Sequence, residues 1–282
     1  MKCCFDGEMV DVATWHPDSG DRGFRYGDGL FETMTAFAER PRLFERHLKR
    51  LYSGMKVLGL DGAGLPTAKE LIELIGQLRT KNAVTHRARV KLSCWRKTGG
   101  LYAPETGAFH WLLEVMPGTD PVLLVEQAGV ARDCWVSYSP LSEFKRLSSD
   151  EYVLAGLECR RQGWDDIVIC DRKGHLAEVL HANLFWFDGK EWFTPATRTG
   201  CIRGVMRDFV YDYMKARGEV VTKGRFDAEV LQDAELVIST NSSGIRYYQQ
   251  IEGKTYTTHH PMVEELLRVI EEEGRRLESA LN

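Results

Sequence analysis

Residues suited to binding an anion or to nucleophilic chemistry occur in four separate segments. Arg50 follows His47 by one helical turn and is flanked by apolar positions, so its guanidinium either turns inward to hold an anion or forms a solvated or ion-paired group. Lys145 lies in a Ser- and Pro-rich loop before a helix, where an ordinary surface lysine is the alternative. The segments 200–207 and 239–244 offer backbone N–H groups at a helix start and hydroxyls at a strand end, which suit a phosphate or simple capping.

The segment Arg25–Thr33 reads RYGDGLFET and places two glycines around an aspartate. This pattern predicts a tight turn that leads into a strand. The chain contains no G-x-x-x-x-G-K-[ST], H-E-x-x-H or G-x-S-x-G motif, so no P-loop, zinc-peptidase or serine-hydrolase site is indicated. No metal site is predicted, because no set of ligands has zinc spacing.

The elements that must position these residues follow from apolar periodicity. Helices are predicted over 43–59, 68–80, 148–163, 204–218 and 261–279. Strands are predicted over 87–95, 109–116, 121–126, 166–171, 176–187, 191–195 and 235–240, with a hairpin turn at 172–174. The turn residues at 116–119 are the best candidate for a linker. We therefore expect an α+β protein with a smaller domain over 1–117 and a larger domain over 118–282.

Composition excludes several classes of protein. The 282 residues include 37 Lys+Arg and 41 Asp+Glu, and this balance argues against a dedicated nucleic-acid binder. No run approaches 18 apolar residues, and the first residues lack a signal-peptide core, so we expect no membrane association and a cytoplasmic location. The seven cysteines are scattered without a C-x-x-C pair, which predicts reduced and mostly buried thiols.

Seven motifs in order across about residues 20–250 resemble the class IV pyridoxal-phosphate aminotransferase family. They are RGFRYGDGLFET, HLKRL, RVKLSCWRKTGGLYAP, FKRLSSDEYVLA, DIVICDRKGHLAEVLHANLFWF, GCIRGVMR and VISTNSSGI. The family includes branched-chain aminotransferases, D-amino-acid aminotransferases and 4-amino-4-deoxychorismate lyases. The resemblance implies the two-domain fold of type IV enzymes, with a small N-terminal α/β domain and a larger domain around a β-barrel-like core. It also implies pyridoxal 5′-phosphate between the domains and a homodimer.

The resemblance assigns roles to individual residues. Lys145 matches the lysine that forms the Schiff base with the cofactor and that then carries the substrate's proton. Glu178 matches the glutamate that contacts the pyridine nitrogen and keeps it protonated, so that the ring acts as an electron sink. Arg50 matches the arginine at the cofactor phosphate. The remaining phosphate contacts are expected from Val205, Met206, Asn241 and Ser242.

The substrate side of the site is expected to involve a second set of residues. They are Arg25, Tyr26, Arg96 and Tyr102. The family often has Asn and Ser or Thr where this chain has Ser148 and His181, which leaves the core chemistry unchanged but alters the contacts around it. GCIRGVMR and the Asn-Ser pair resemble the lyase branch more than the branched-chain one. We therefore expect a lyase that eliminates pyruvate to give p-aminobenzoate. The alternatives are an aminotransferase for branched-chain or D-amino acids, and an inactive binding module on the same fold.

Overall fold

The computed structural model describes residues 1–279, which divide into two compact units. The N-terminal unit contains residues 1–120, the segment 144–148 and the described residues from Glu272 onward. The C-terminal unit contains residues 121–143 and 149–271. The segment that carries Lys145 therefore belongs to the N-terminal unit, although it lies within the sequence of the C-terminal one.

The helices and strands alternate irregularly along the chain. The helices are α1 (Arg22–Tyr26), α2 (Phe44–Leu58), α3 (Ala68–Lys81), α4 (Asp150–Gln162), α5 (Val205–Ala216) and α6 (Pro261–Ser279). The strands are β1 (Lys2–Phe5), β2 (Glu8–Asp11), β3 (Gly29–Ala36), β4 (Ala88–Arg96), β5 (Phe109–Pro117), β6 (Leu124–Val130), β7 (Asp166–Cys170), β8 (Leu176–Val179), β9 (Asn183–Phe187), β10 (Trp192–Pro195), β11 (Val221–Gly224), β12 (Leu236–Asn241), β13 (Gly244–Ile251) and β14 (Lys254–Thr255). The mixed α+β fold is confirmed.

The five predicted helices are present, and their ends differ from the prediction by at most two residues. Two strand predictions were wrong. The strand expected over 121–126 begins three residues later, as β6 (Leu124–Val130). The range 176–187 was expected to be a single strand, but β8 and β9 are separated by a turn in which the Val179 N–H donates to the Ala182 carbonyl at 2.9 Å. His181 is exposed in this turn. The sequence lacks the Gly, Pro or Asp that usually indicates a turn, and the alternation of apolar residues hides the break.

The N-terminal unit is an antiparallel sheet with two helices packed against it. Its strand order is β2-β1-β5-β4-β3, so β3 lies at one edge. Apolar residues at helical spacing turn one face of α2 toward β3, namely Phe44, Leu48, Leu51 and Met55. Gly59, in the left-handed conformation with φ 67°, ends α2. The sheet and these helices enclose one hydrophobic core.

The C-terminal unit is built on a nine-stranded sheet. Along the main path the order is β11-β10-β9-β12-β13-β6-β7-β8, and β14 pairs with β13. Because β8 contacts β9 and β10 near the other end of this path, the sheet curls back on itself. Helix α4 packs against β7, and α5 packs against β11 and β12.

Two further expectations from the sequence concern the cysteines and membrane-spanning helices. All seven cysteines are buried and unpaired with one another, as predicted. Within residues 1–279, none of the helices is both long and apolar enough to span a bilayer.

Replacing Gly29 by alanine should destabilise the fold because the backbone approaches closely at the start of β3. An added Cβ would lie 2.4 Å from the Cys94 carbonyl oxygen and 2.7 Å from Leu147 Cδ1. We expect Gly29→Ala to cost about 2 kcal/mol or more. In helix α4, Gly156→Ala should stabilise by about 0.5–1 kcal/mol, because its Cβ would meet only Leu180 at 3.7 Å. Urea unfolding of both variants measures the difference, and equal effects would contradict the argument.

Candidate active site

Lys145 is attached to the edge of the N-terminal sheet by its backbone. The Phe31 N–H donates to the Lys145 carbonyl at 2.8 Å, and the Leu147 N–H donates to the Gly29 carbonyl at 3.0 Å. The half-buried Lys145 side chain places Nζ 5.1 Å from the centre of the Phe31 ring. This lysine is therefore held by strand-like pairing to β3, and is not an ordinary lysine of a surface loop.

The glycine pair in RYGDG makes this attachment possible. Gly27 ends helix α1 in the left-handed conformation with φ 61°, and a Cβ there would lie 2.9 Å from the Ser148 backbone nitrogen. Only glycine accommodates both the conformation and the close approach. The expected turn into a strand is confirmed, but it follows the short helix α1, which the sequence did not reveal.

Arg50 turns inward and forms a buried ion pair. Its Nε donates to Glu32 Oε1 at 2.7 Å and its Nη2 donates to Glu32 Oε2 at 2.6 Å. His47 Nδ1 lies 2.7 Å from Glu32 Oε2. All three side chains are buried. The structure combines the two alternatives raised by the sequence, because Arg50 turns inward and is also ion-paired, and the bidentate pairing orients the planar guanidinium.

The charges of this cluster follow from its contacts. Burial by itself raises the pKa of Glu32, but the Arg50 charge and the hydrogen bond from His47 outweigh burial and bring the pKa to about 2. Burial lowers the pKa of His47, Glu32 partly offsets this effect, and the positive charges of Arg50 and Lys145 act in the same direction as burial. At neutral pH, His47 is therefore a neutral imidazole whose Nδ1–H donates to an ionised Glu32.

Asp28 organises the second cluster of the N-terminal unit. Its Oδ2 accepts from Arg22 Nε at 2.8 Å and from Arg96 Nε at 2.9 Å. Arg22 also donates to the carbonyls of residues 99, 100 and 101. Arg96 donates further to the carbonyls of residues 58, 59 and 106. The two arginines thus hold the loop after β4 in place.

The four residues expected on the substrate side have different environments. Arg96 is buried and directs its donors at protein acceptors, so we do not include it among the groups that would hold a substrate. Arg25 is exposed and donates to the Ser19 carbonyl at 2.7 Å. Tyr26 is half-buried, and its ring lies 5.7 Å from that of Tyr102, which is 91% exposed.

Glu178 is the buried carboxylate of the C-terminal unit. It is 3% exposed and lies on β8. Tyr152 Oη donates to its Oε1 at 2.6 Å, the Ile202 N–H lies 3.3 Å from each oxygen, and Asn183 Nδ2 lies 3.5 Å from Oε2. Donors on both oxygens favour the ionised form of a buried carboxylate.

Asn183 connects this carboxylate to the start of α5. Its Nδ2 donates to the Ile202 carbonyl at 2.7 Å. A Cβ on Gly204, the residue that precedes α5, would lie only 1.9 Å from Asn183 Oδ1. Gly204 therefore has to be a glycine, and it offers no side chain to cap the first-turn N–H groups. These groups, including those of Val205 and Met206, begin a helix of 12 residues whose dipole favours an anion.

Asn241 is the last residue of β12, and Ser242 begins the two-residue connection to β13. Asn241 pairs with Gly244, and its side chain donates to the His181 carbonyl at 3.3 Å and accepts from the Ser243 N–H at 2.9 Å. Thr240, which precedes them, pairs across the sheet with Asn183. Its buried Oγ1 has no hydrogen-bond partner among the described residues. The end of β12 and the start of α5 are therefore linked through one asparagine.

The C-terminal residues fit a phosphorylated pyridine in two respects. A buried carboxylate with several donors can pair with a protonated ring nitrogen, and a glycine-capped helix start beside an unsatisfied hydroxyl can accept a phosphate. In the part of the chain that the structure describes, no group of three or more His, Cys, Asp or Glu side chains is placed to hold a metal ion.

The expected site residues fall into two groups, one in each unit. Arg50 and Lys145 belong to the N-terminal unit. The C-terminal group consists of Glu178, Val205, Met206, Asn241 and Ser242. Sequence reasoning assigned no role to Glu32, Asn183 and Tyr152. For Glu32 and Asn183 a signal exists, because a polar residue among buried apolar strand positions requires a partner. Tyr152 carries no such signal.

In comparison with known proteins, one family model covers residues of both groups. A family model described as "Amino-transferase class IV" matches residues 29–251. An aminodeoxychorismate lyase of Bacillus subtilis is 28% identical over 228 residues, which cover 79% of this chain and 76% of that protein. A 4-amino-4-deoxychorismate lyase structure from Pseudomonas aeruginosa has a TM-score of 0.84 at 24% identity, covering 96% of this chain and 98% of that one. An Escherichia coli branched-chain amino acid aminotransferase has a TM-score of 0.85 at 20% identity, covering 96% and 93%.

The Glu32 cluster should make stability depend on pH in the acid range. Because the pKa of Glu32 falls from an ordinary 4.5 to about 2 on folding, its stabilising effect is complete above about pH 4.5 and is lost as the pH falls toward 2. Glu32→Gln should cost about 3 kcal/mol at pH 7, since it leaves Arg50 buried without its carboxylate. Urea unfolding at pH 7 and about pH 3 measures the loss of unfolding free energy caused by Glu32→Gln, and this loss should be much smaller at the lower pH.

The control for this experiment is Glu45→Gln. Glu45 pairs with Arg40, and both side chains are largely exposed, so we expect a change within about 0.5 kcal/mol at either pH. A Glu32→Gln penalty that is the same at both pH values would show that the carboxylate charge is not what matters.

Proposed function

This chain belongs to the class IV aminotransferase family, and from that premise we propose that it is a pyridoxal-phosphate-dependent enzyme acting as a 4-amino-4-deoxychorismate lyase. The reaction would convert the substrate into p-aminobenzoate and pyruvate. The observation that carries the proposal is the buried Glu178 carboxylate, with its donors, in one cluster with the glycine-capped start of α5. Such a cluster suits a ring that has a basic nitrogen and a phosphate.

We propose that Glu178 would contact the ring nitrogen of the cofactor. An ionised carboxylate at that atom favours the protonated pyridine. The N–H groups of Val205 and Met206 and the connection at Asn241 and Ser242 would hold the phosphate. Arg50 would contribute its positive charge to the same phosphate, and its pairing with Glu32 keeps the guanidinium in one orientation.

Lys145 would hold the cofactor covalently through Nζ and would carry the proton during the reaction. When bound, pyridoxal phosphate supplies an electron sink for the carbon that bears the substrate's amine. Lys145 Nζ, released when the substrate's amine replaces it, would remove the proton from that carbon, while the bond from the neighbouring carbon to the enolpyruvyl oxygen breaks. Protonation of the released group gives pyruvate, and the ring that remains is aromatic, so no water is consumed.

The motifs support the lyase over an aminotransferase. Similarity alone does not, because a putative branched-chain aminotransferase is as identical to this chain as an aminodeoxychorismate lyase is, at 28%. The motif GCIRGVMR and the pair Asn241-Ser242 resemble the lyase branch of the family. Arg25, Tyr26 and Tyr102 remain candidates for contact with the substrate carboxylates. We also propose a cytoplasmic homodimer, which size-exclusion chromatography with light scattering would test.

Purified protein incubated with 4-amino-4-deoxychorismate should release p-aminobenzoate and pyruvate in equal amounts. Liquid chromatography measures the first product, and a coupled lactate dehydrogenase assay measures the second. Neither product should require an added keto acid, because the elimination transfers no amino group. If both products are absent and an amino acid instead reacts with a keto acid, the protein is an aminotransferase.

Substituting Lys145 should abolish the covalent attachment of the cofactor. Wild-type protein treated with borohydride should carry a phosphopyridoxyl group on the peptide that contains Lys145, detectable by mass spectrometry. Lys145→Ala should lose this adduct and reduce turnover by roughly a thousand-fold or more.

Lys91→Ala is the matched control for this substitution, because Lys91 Nζ lies 5.3 Å from the centre of the same Phe31 ring. The control should keep the borohydride adduct. An adduct that persists in Lys145→Ala would exclude Lys145 as the attachment point.

A further inference from the structure

Tyr152 lies in the first turn of α4, the helix that follows Lys145 along the chain. It shares a helical face with Ala155 and Cys159, which are buried against β7 and β8 in one apolar cluster. The Tyr152 ring packs against this cluster. Packing of the helix on the sheet therefore restricts where the hydroxyl can lie.

The Tyr152 hydroxyl donates to Glu178 Oε1 at 2.6 Å. We propose that Tyr152 is a positioning residue for Glu178, which sets the orientation of this carboxylate and its affinity for a proton. The proposal rests on the function proposed above, because it assigns to Glu178 the contact with the pyridine nitrogen. It extends that function to a residue for which the sequence offered no signal.

The donors seen at Glu178 differ in the length of their contacts. The Ile202 N–H is shared between the two oxygens at 3.3 Å, and Asn183 Nδ2 lies 3.5 Å from Oε2. The hydroxyl contact at 2.6 Å is much shorter, in the range of charge-assisted O–H···O⁻ bonds. Among these donors Tyr152 makes the shortest contact, and its hydroxyl favours the ionised carboxylate.

Removal of this hydroxyl has a definite electrostatic consequence. A carboxylate that loses a donor binds a proton more readily, so the pKa of Glu178 should rise. Protonated Glu178 cannot pair with a protonated ring nitrogen. As the pH is lowered, the loss of cofactor affinity should therefore begin at a higher pH when the hydroxyl is absent. The expected displacement is about one pH unit for the loss of a charge-assisted bond.

The experiment compares Tyr152→Phe with wild type after removal and stepwise return of the cofactor. Dissociation constants are measured between about pH 5 and 8 for pyridoxal 5′-phosphate and for its analogue with carbon in place of the ring nitrogen. The acid-side midpoint is the pH at which half of the cofactor affinity is lost on acidification. For the natural cofactor, this midpoint should move up by about one pH unit in Tyr152→Phe. For the analogue, no shift between the two proteins is expected, because it has no ring nitrogen for Glu178 to contact.

A matched control variant and a second mutant background distinguish a positioning role of Tyr152 from a general loss of structure. Tyr213 Oη donates to Glu265 Oε1 at 2.8 Å within the same unit, so Tyr213→Phe removes a bond of the same kind between α5 and α6. This control should leave the midpoint unchanged, and both variants should unfold at similar temperatures. In a Glu178→Gln background, Tyr152→Phe should have no further effect on cofactor affinity.

The possible failures are distinguishable. If wild-type protein binds neither compound, the proposed function is wrong and this inference is wrong with it. If wild type binds the cofactor with a borohydride adduct on Lys145 and the midpoint does not move in Tyr152→Phe, only the inference is wrong. Equal shifts for the cofactor and the analogue would likewise contradict it, since Tyr152 would then act on the fold and not through Glu178.

Discussion

The buried carboxylate of Glu178 imposes the main constraint on the C-terminal unit. A charge that is 3% exposed must be surrounded by donors, because desolvation otherwise favours the neutral acid. The donors come from α4, from the loop before α5 and from β9, so these three segments must converge on β8. Asn183 then links the same carboxylate to the start of α5. The geometry proposed for the cofactor is in this way a consequence of satisfying one buried charge.

The N-terminal unit also contains buried charges, and these pair with side chains of opposite charge. Glu32 and Arg50 are both buried, and each is tolerated because the other lies within hydrogen-bond distance. Asp28 pairs in the same way with Arg22 and Arg96, whose remaining donors bind backbone carbonyls. One arginine is thus held by a buried carboxylate, and the other two stabilise the loop after β4. Residue type alone does not distinguish these uses.

Sequence patterns predicted the helices well and the strands less well. In α2, α4 and α5 an apolar stripe coincides with glycines just past the end, and these two local signals agree on the helix limits. Strand patterns are short, and apolar runs look alike whether or not the chain turns, which is why β8 and β9 were expected as one strand. The strands β1, β2, β11, β13 and β14 were not predicted. Between β1 and β2, the pair Asp6-Gly7 is a two-residue hairpin signal that the sequence offered and the prediction did not use.

The sequence by itself determined the family and the helices, and it predicted Lys145 and Glu178 as site residues, because these depend on local order along the chain. Only the tertiary structure decided what each polar side chain contacts. Arg50 pairs with Glu32, Arg96 holds carbonyls of its own loop, and Tyr152 reaches Glu178 across separate elements. Such contacts join residues far apart in sequence, and packing, not residue type or spacing, brings a donor within reach of an acceptor.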